Sequence, residues 1–80
     1  MQEIIKSILQ QILELDENIL EGLNKDTDLI ELGLDSLKAI ELVVHVEDNF
    51  EIMISDDDLL LDNLSSIEQI EKLILTYQEN

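Results

Sequence analysis

The chain of 80 residues contains no cysteine, no proline and no tryptophan, and only one histidine, one tyrosine and one phenylalanine. Without cysteine there is no disulfide framework, no thiolate zinc site and no thiol nucleophile. Basic residues are equally scarce: four lysines stand against 20 Asp and Glu, for a formal net charge of −16. Binding to duplex nucleic acid needs cations to neutralise phosphates, and an anionic membrane surface would repel this chain, so neither partner is expected. A long apolar run is also missing. The first residues, MQEIIKSILQQI, are amphipathic instead of basic-then-apolar, so neither a signal peptide nor a transmembrane span is expected, and the expected location is cytoplasmic. What is present is a 45% hydrophobic complement, enough to build a core and to argue against disorder. Residues 1–80 are expected to form one monomeric domain, too small for a deep cleft between lobes.

Apolar periodicity organises the chain into helices and one long connection. Ile4, Ile5, Ile8, Leu9, Ile12 and Leu15 follow helical spacing and predict a helix from about residue 2 to about 15. From Asp16 to Asp35 come both glycines, Gly22 and Gly33, with Asn24, Asp26, Thr27 and Asp28 between them. These are turn formers without a sustained stripe, while Ile19, Leu20, Leu23, Leu29, Ile30, Leu32 and Leu34 predict a loop pinned to the core. A second helix is expected from Asp35 or Ser36 to about Glu51. On its wheel Ala39, Leu42, Val43, Val46 and Phe50 face the core. Lys38, Glu41, His45 and Asp48 face water, and Leu37, Ile40 and Val44 form an apolar flank. Ser55 followed by Asp56, Asp57 and Asp58 reads as a cap and an acidic first turn, opening a short helix through Leu59, Leu60 and Leu61. Ser65 to Glu68 reads as a capping box for a last helix, whose stripe of Ile67, Ile70, Leu73, Ile74 and Tyr77 runs to about residue 78. The pattern predicts an all-α, small four-helix bundle: three main helices, one short helix, and a long loop between the first two.

Conventional catalysis finds no support, and no catalytic residue or metal site is expected. His45, the one imidazole, shares a polar face with Glu41 and Asp48 and reads as a surface histidine. Ser36 lies nine residues before it on the same helix, too far for a triad. An EF-hand register starting at Asp16 puts Leu20 at a ligand position, Glu21 where glycine belongs and Thr27 at the closing position. A glycosidase pair needs a cleft and a desolvated carboxyl, and no glycine-rich phosphate loop is present. Among the serines, Ser55 and Ser65 are explained as caps and Ser7 lies on a wet face. Ser36 sits after the Gly33 turn at the start of the most apolar helix. An N-cap and a functional hydroxyl are both open there, since Asp35 could cap in its place.

The run Leu32-Gly33-Leu34-Asp35-Ser36-Leu37, continuing Lys38-Ala39-Ile40-Glu41-Leu42-Val43, resembles the attachment signature of acyl and peptidyl carrier proteins. The resemblance extends over the first helix, the Asp/Thr-containing loop, Glu47-Asp48-Asn49-Phe50, Ile54-Ser55-Asp56 and the Ile-rich last helix. It implies a non-catalytic carrier. A phosphopantetheinyl transferase, with Mg²⁺, would join the 4'-phosphopantetheine of coenzyme A to Ser36, and Asp35 would serve transferase recognition. The thiol of that arm would carry acyl or aminoacyl thioesters between loading and chain-processing enzymes. Docking to their basic surfaces would fall to Leu37, Ile40, Glu41, Val44, Glu47 and Asp48, with the rival possibility that Ile40 and Val44 only widen the core stripe. Leu34 and Lys38 depart from the Ala and the acid common in carriers of fatty acid synthesis. They lean toward discrete polyketide, nonribosomal-peptide or aminoacyl carriers, whereas acidity and length lean back toward the fatty-acid type. An unmodified helical interaction module is the alternative of a different class.

Overall fold

The computed structural model describes residues 1–78, so the last two residues of the expected 1–80 domain lie outside the described residues. The order is α1 (Gln2–Leu13), α2 (Glu17–Gly22), α3 (Ser36–Phe50), two 3₁₀ turns (Asp56–Asp58 and Leu61–Leu64) and α4 (Ile67–Gln78). Among the described residues there is no strand, and the all-α bundle with three main helices stands. α1 packs against both α3 and α4, while the second 3₁₀ turn bridges α4 and α3. The radius of gyration, 11.6 Å, is that of a compact chain of this length. No helix among the described residues is long and apolar enough to cross a membrane.

The core follows the apolar stripes. Ile5, Ile8, Leu9 and Ile12 of α1 meet Leu42, Val43 and Val46 of α3 and Ile67, Ile70 and Ile74 of α4. Among the described residues no polar or charged one is buried, so the fold avoids the desolvation cost that unpaired interior charges would impose.

Two of the boundaries differ from the sequence expectation. α1 stops at Leu13 because Glu14 turns left-handed (φ 54) and donates its N–H to the Gln10 carbonyl; Glu51 (φ 54) closes α3 in the same way on Glu47. This closure is common with glycine, and a glutamate that adopts it gives no sequence signal. The connection between α1 and α3 is also not wholly loop. Asp16 accepts from the Ile19 N–H at 2.9 Å and starts the six-residue α2, which buries no side chain and therefore leaves no stripe to read.

The remainder of the connection is pinned, as its regular leucines predict. Leu23, Leu29 and Leu34 are buried. Asn24 and Asp28 fold local turns by accepting the N–H groups of Asp26 and Ile30. Two backbone bonds sew this segment to the start of α4: Leu29 N–H to Ser65 O at 2.8 Å and Glu68 N–H to Lys25 O at 3.1 Å. Those bonds shift the cap of α4. Ser65 uses its hydroxyl on the Asp62 carbonyl, and Ser66, not Ser65, accepts the Gln69 N–H at 3.2 Å. The expected short helix after Ser55 is two 3₁₀ turns; Ser55 does cap the first, accepting the Asp57 N–H at 3.3 Å.

Charge is the main unbalanced force. Among the described residues one ion pair occurs, Lys72 to Glu68 at 3.8 Å, and it is exposed, where such a pair contributes little. The net −16 is therefore mostly self-repulsion that opposes the compact state. Raising salt from about 0.01 M to about 1 M, which shortens the Debye length from roughly 30 to roughly 3 Å, should raise Tm by about 5 °C or more. A Tm indifferent to salt in a calorimetric or circular-dichroism melt would contradict this balance.

Candidate functional site

The site is built at the first turn of α3. Gly33 adopts φ +109, a backbone state that side chains disfavour, and reverses the chain so that Leu34 is buried and Asp35 emerges extended (φ −131, ψ −175). The Asp35 carboxylate accepts the Lys38 N–H at 2.8 Å and caps the helix. Ser36 is thus the first helical residue and not the cap. It is exposed, and its hydroxyl has no hydrogen bond among the described residues. Of the two possibilities left open by the sequence, the cap is taken by Asp35 and the serine hydroxyl is free.

Lys38 does not face water as the helical wheel suggests. It is half-buried, and its ammonium donates to the Ile12 carbonyl at 3.1 Å. Ile12 lies in the last turn of α1, where carbonyls lack helical partners and a cation is favoured by the helix dipole. One residue therefore ties the end of α1 to the start of α3, using its N–H for Asp35 and its side chain for Ile12.

Outward from Ser36, three large apolar side chains stand clear of the core: Leu37 is 70% exposed, Ile40 61% and Val44 58%. These exposures are too high for a widened core stripe. Glu41 and Asp48 are exposed beside them, whereas Glu47 is half-buried and accepts the Ile54 N–H at 2.7 Å. Glu47 thus has a structural task in the turn after α3. His45 is half-buried on the same helix, beside Gln11, Ile12 and Val44.

Inward from Ser36 lies a feature the sequence did not disclose. A cleft of about 180 Å³ is lined by Ser36, Ala39, Ile40 and Val43 on α3 and by Leu59, Leu61 and Leu64 opposite. Apart from the serine every lining side chain is apolar. The small Ala39 leaves space where a larger residue would close it. The far wall hangs on Tyr77 of α4, whose hydroxyl accepts the Ser55 N–H at 2.9 Å and donates to the Asp58 carboxylate. Asn63 also donates to the Asp58 carbonyl at 3.0 Å. Among the described residues, no three His, Cys, Asp or Glu side chains are grouped to hold a metal ion.

The bond to Asp58 holds the Tyr77 phenol protonated and pushes its pKa above the ordinary 10.0, against the Ser55 N–H, which favours the phenolate. Because the folded-state value is the higher one, the phenol's contribution to stability is complete below about pH 10 and is lost as pH rises through the folded value. As the chain has one tyrosine and no tryptophan, phenolate absorbance reports this group alone. Titration should show ionisation above 10, and Asp58→Ala should bring it down toward the ordinary value. An unchanged titration would contradict the bond.

Comparison with known proteins places this arrangement among relatives. The family described as "Phosphopantetheine attachment site" matches residues 3–74. An acyl carrier protein of Exiguobacterium sibiricum is 36% identical over 75 residues, covering 84% of this chain and 92% of that protein. Aminoacyl carrier protein 2 of Bradyrhizobium diazoefficiens is 26% identical over 72 residues, covering 90% of this chain and 75% of that protein. The non-reducing polyketide synthase cla3 of Cladosporium cladosporioides is 38% identical over 47 residues, 59% of this chain but 2% of that much longer protein.

Proposed function

Because the chain belongs to the phosphopantetheine-attachment family of carrier proteins, we propose that residues 1–80 form one carrier domain with Ser36 as its attachment residue. The observation that carries this reading is the free, exposed hydroxyl at the start of α3, relieved of capping by Asp35. Members of the family hold 4'-phosphopantetheine covalently, and that group supplies a flexible arm ending in a thiol on which acyl or aminoacyl cargo is held as a thioester. The missing cysteine of the chain is in this way made good by an imported thiol.

The residues fit such a group. The Ser36 Oγ–P bond would form as the pyrophosphate P–O bond of coenzyme A breaks, with adenosine 3',5'-bisphosphate leaving and the hydroxyl proton passing to a base that the transferase brings. The product phosphodiester would then be favoured by the positive end of the fifteen-residue α3. Asp35 opposes it by charge, so its role besides capping is recognition of the transferase. Transfer of cargo needs brief docking to several enzymes. Leu37, Ile40 and Val44 offer the apolar contact, while Glu41 and Asp48 steer basic partner surfaces toward it. Glu47 acts at the edge of this surface, with its carboxylate tied to Ile54. The carrier is a substrate of these enzymes and performs no chemistry of its own.

As for pathway, Leu34 before Asp35-Ser36 and Lys38 after Leu37 favour a discrete polyketide, nonribosomal-peptide or aminoacyl carrier. The fatty-acid type is the second reading, favoured by the wholly apolar cleft beside Ser36.

Incubation with coenzyme A, Mg²⁺ and a broad-specificity phosphopantetheinyl transferase should add one phosphopantetheine per chain by intact mass, and Ser36→Ala should abolish it. A folded protein that gains nothing from an active transferase is instead an interaction module. Glu41→Lys or Asp48→Lys should slow loading by about threefold or more at low salt, with the deficit shrinking as salt rises. Loading rates that ignore both charge and salt would overturn the steering role.

A further inference from the structure

The Tyr77 hydroxyl ties α4 to the segment that leads into the cleft wall. It accepts from the Ser55 backbone and donates to the Asp58 side chain, so both ends of the first 3₁₀ turn are held by one oxygen. Leu59 follows Asp58 directly, and with Leu61 it forms the outer part of the wall facing Ala39 and Val43. Neither leucine is fully buried, and neighbouring Leu60 is 59% exposed. Both leucines pack against the core only in part. Leu64 at the inner end is buried at 2% exposure, and Ile54, directly before Ser55, at 8%. A segment anchored at both ends and clasped between them by one hydroxyl bows outward like a flap when the clasp lets go.

We propose that Tyr77 is a positioning residue that latches the 55–61 flap and thereby sets how readily the cleft beside Ser36 opens to admit the apolar part of a cargo. The inference rests on the reading of Ser36 as the attachment residue. Tyr77 touches no cargo; it acts through Ser55 and Asp58 on Leu59 and Leu61. A tight latch holds the cleft at about 180 Å³, which selects short apolar chains over long ones. Release of the latch lets longer chains in.

The test uses Tyr77→Phe, which keeps the ring and removes the hydroxyl, beside Asp58→Ala and the double variant. Ile5→Val, a core change on α1 away from the flap, serves as a control for general loss of stability. In the unloaded proteins, amide hydrogen exchange over residues 55–61 should be roughly 25-fold faster in Tyr77→Phe, the effect of two lost hydrogen bonds on a local opening. Exchange in α1 should follow global stability alone. Asp58→Ala should give a smaller, roughly fivefold increase and add little to Tyr77→Phe, since the one bond it removes is already lost in that variant.

Each protein is then loaded with an acetyl-bearing or an octanoyl-bearing phosphopantetheine, and cleavage of the thioester by hydroxylamine is timed. The octanoyl to acetyl rate ratio should shift by about threefold in Tyr77→Phe and stay at the parent value in Ile5→Val. Flap exchange equal to that of the parent overturns the latch. Faster exchange with an unshifted cargo ratio overturns its link to the cleft. A shift of the same size in Ile5→Val assigns the effect to stability and overturns the positioning role. Failure of every variant and the parent to load strikes the Ser36 reading instead, and is told apart because flap exchange is measured without cargo.

Discussion

The hydrogen bond from the Lys38 N–H to the Asp35 carboxylate decides what the rest of the molecule can do. It fixes the first turn of α3, and it does so with the residue before the serine. Had Ser36 been the cap, its hydroxyl would have been committed to a backbone N–H and turned along the helix axis. With Asp35 in that role the serine becomes the first helical residue, exposed and without a partner. The Gly33 turn delivers Asp35 to the capping position in extended geometry. Lys38 then extends the same constraint to α1 through the Ile12 carbonyl. Three consecutive tasks are met by a glycine, an acid and a lysine within six residues.

Around that turn the molecule divides by polarity. Every buried side chain among the described residues is apolar, which sends most of the charge to the surface. There it opposes folding by self-repulsion but gives long-range attraction for basic partners. The exposed strip of Leu37, Ile40 and Val44 would be a liability on an uncharged protein. Flanked by Glu41 and Asp48, it becomes a surface suited to short encounters. The same helix presents Ser36, Ala39 and Val43 to the cleft, so the proposed docking and cargo surfaces are two sides of one element.

Much of this was legible from the residues. The stripes of α1, α3 and α4 were visible because each helix buries a face at helical spacing, and the pinned loop was visible in its regular leucines. The Asp35-Ser36 motif singled out the candidate serine before any geometry was known. What escaped had no local signature. α2 buries nothing, so its six residues carry no stripe. Glu14 ends α1 in a backbone state that sequence associates with glycine. Ser65 and Ser66 both suit a cap, and the choice between them turned on Leu29, which binds the Ser65 carbonyl from far along the chain. Lys38 lay on the polar side of its wheel, yet a long side chain reaches a neighbouring helix that no wheel contains. The cleft wall is made by Leu59, between the two 3₁₀ turns, and by Leu61 and Leu64 on the second, where three consecutive leucines reveal no face. Tyr77 looked like another core residue, because the partners of its hydroxyl lie 19 and 22 residues upstream.

The central claim is that the free hydroxyl at the start of α3, and no other, carries the arm. Fragmentation mass spectrometry of the loaded protein tests it most directly, because it assigns the added group to one residue. Phosphopantetheine is expected on Ser36 alone, with Ser7, Ser55, Ser65 and Ser66 unmodified. The group on any of those four, or spread among several, would contradict it.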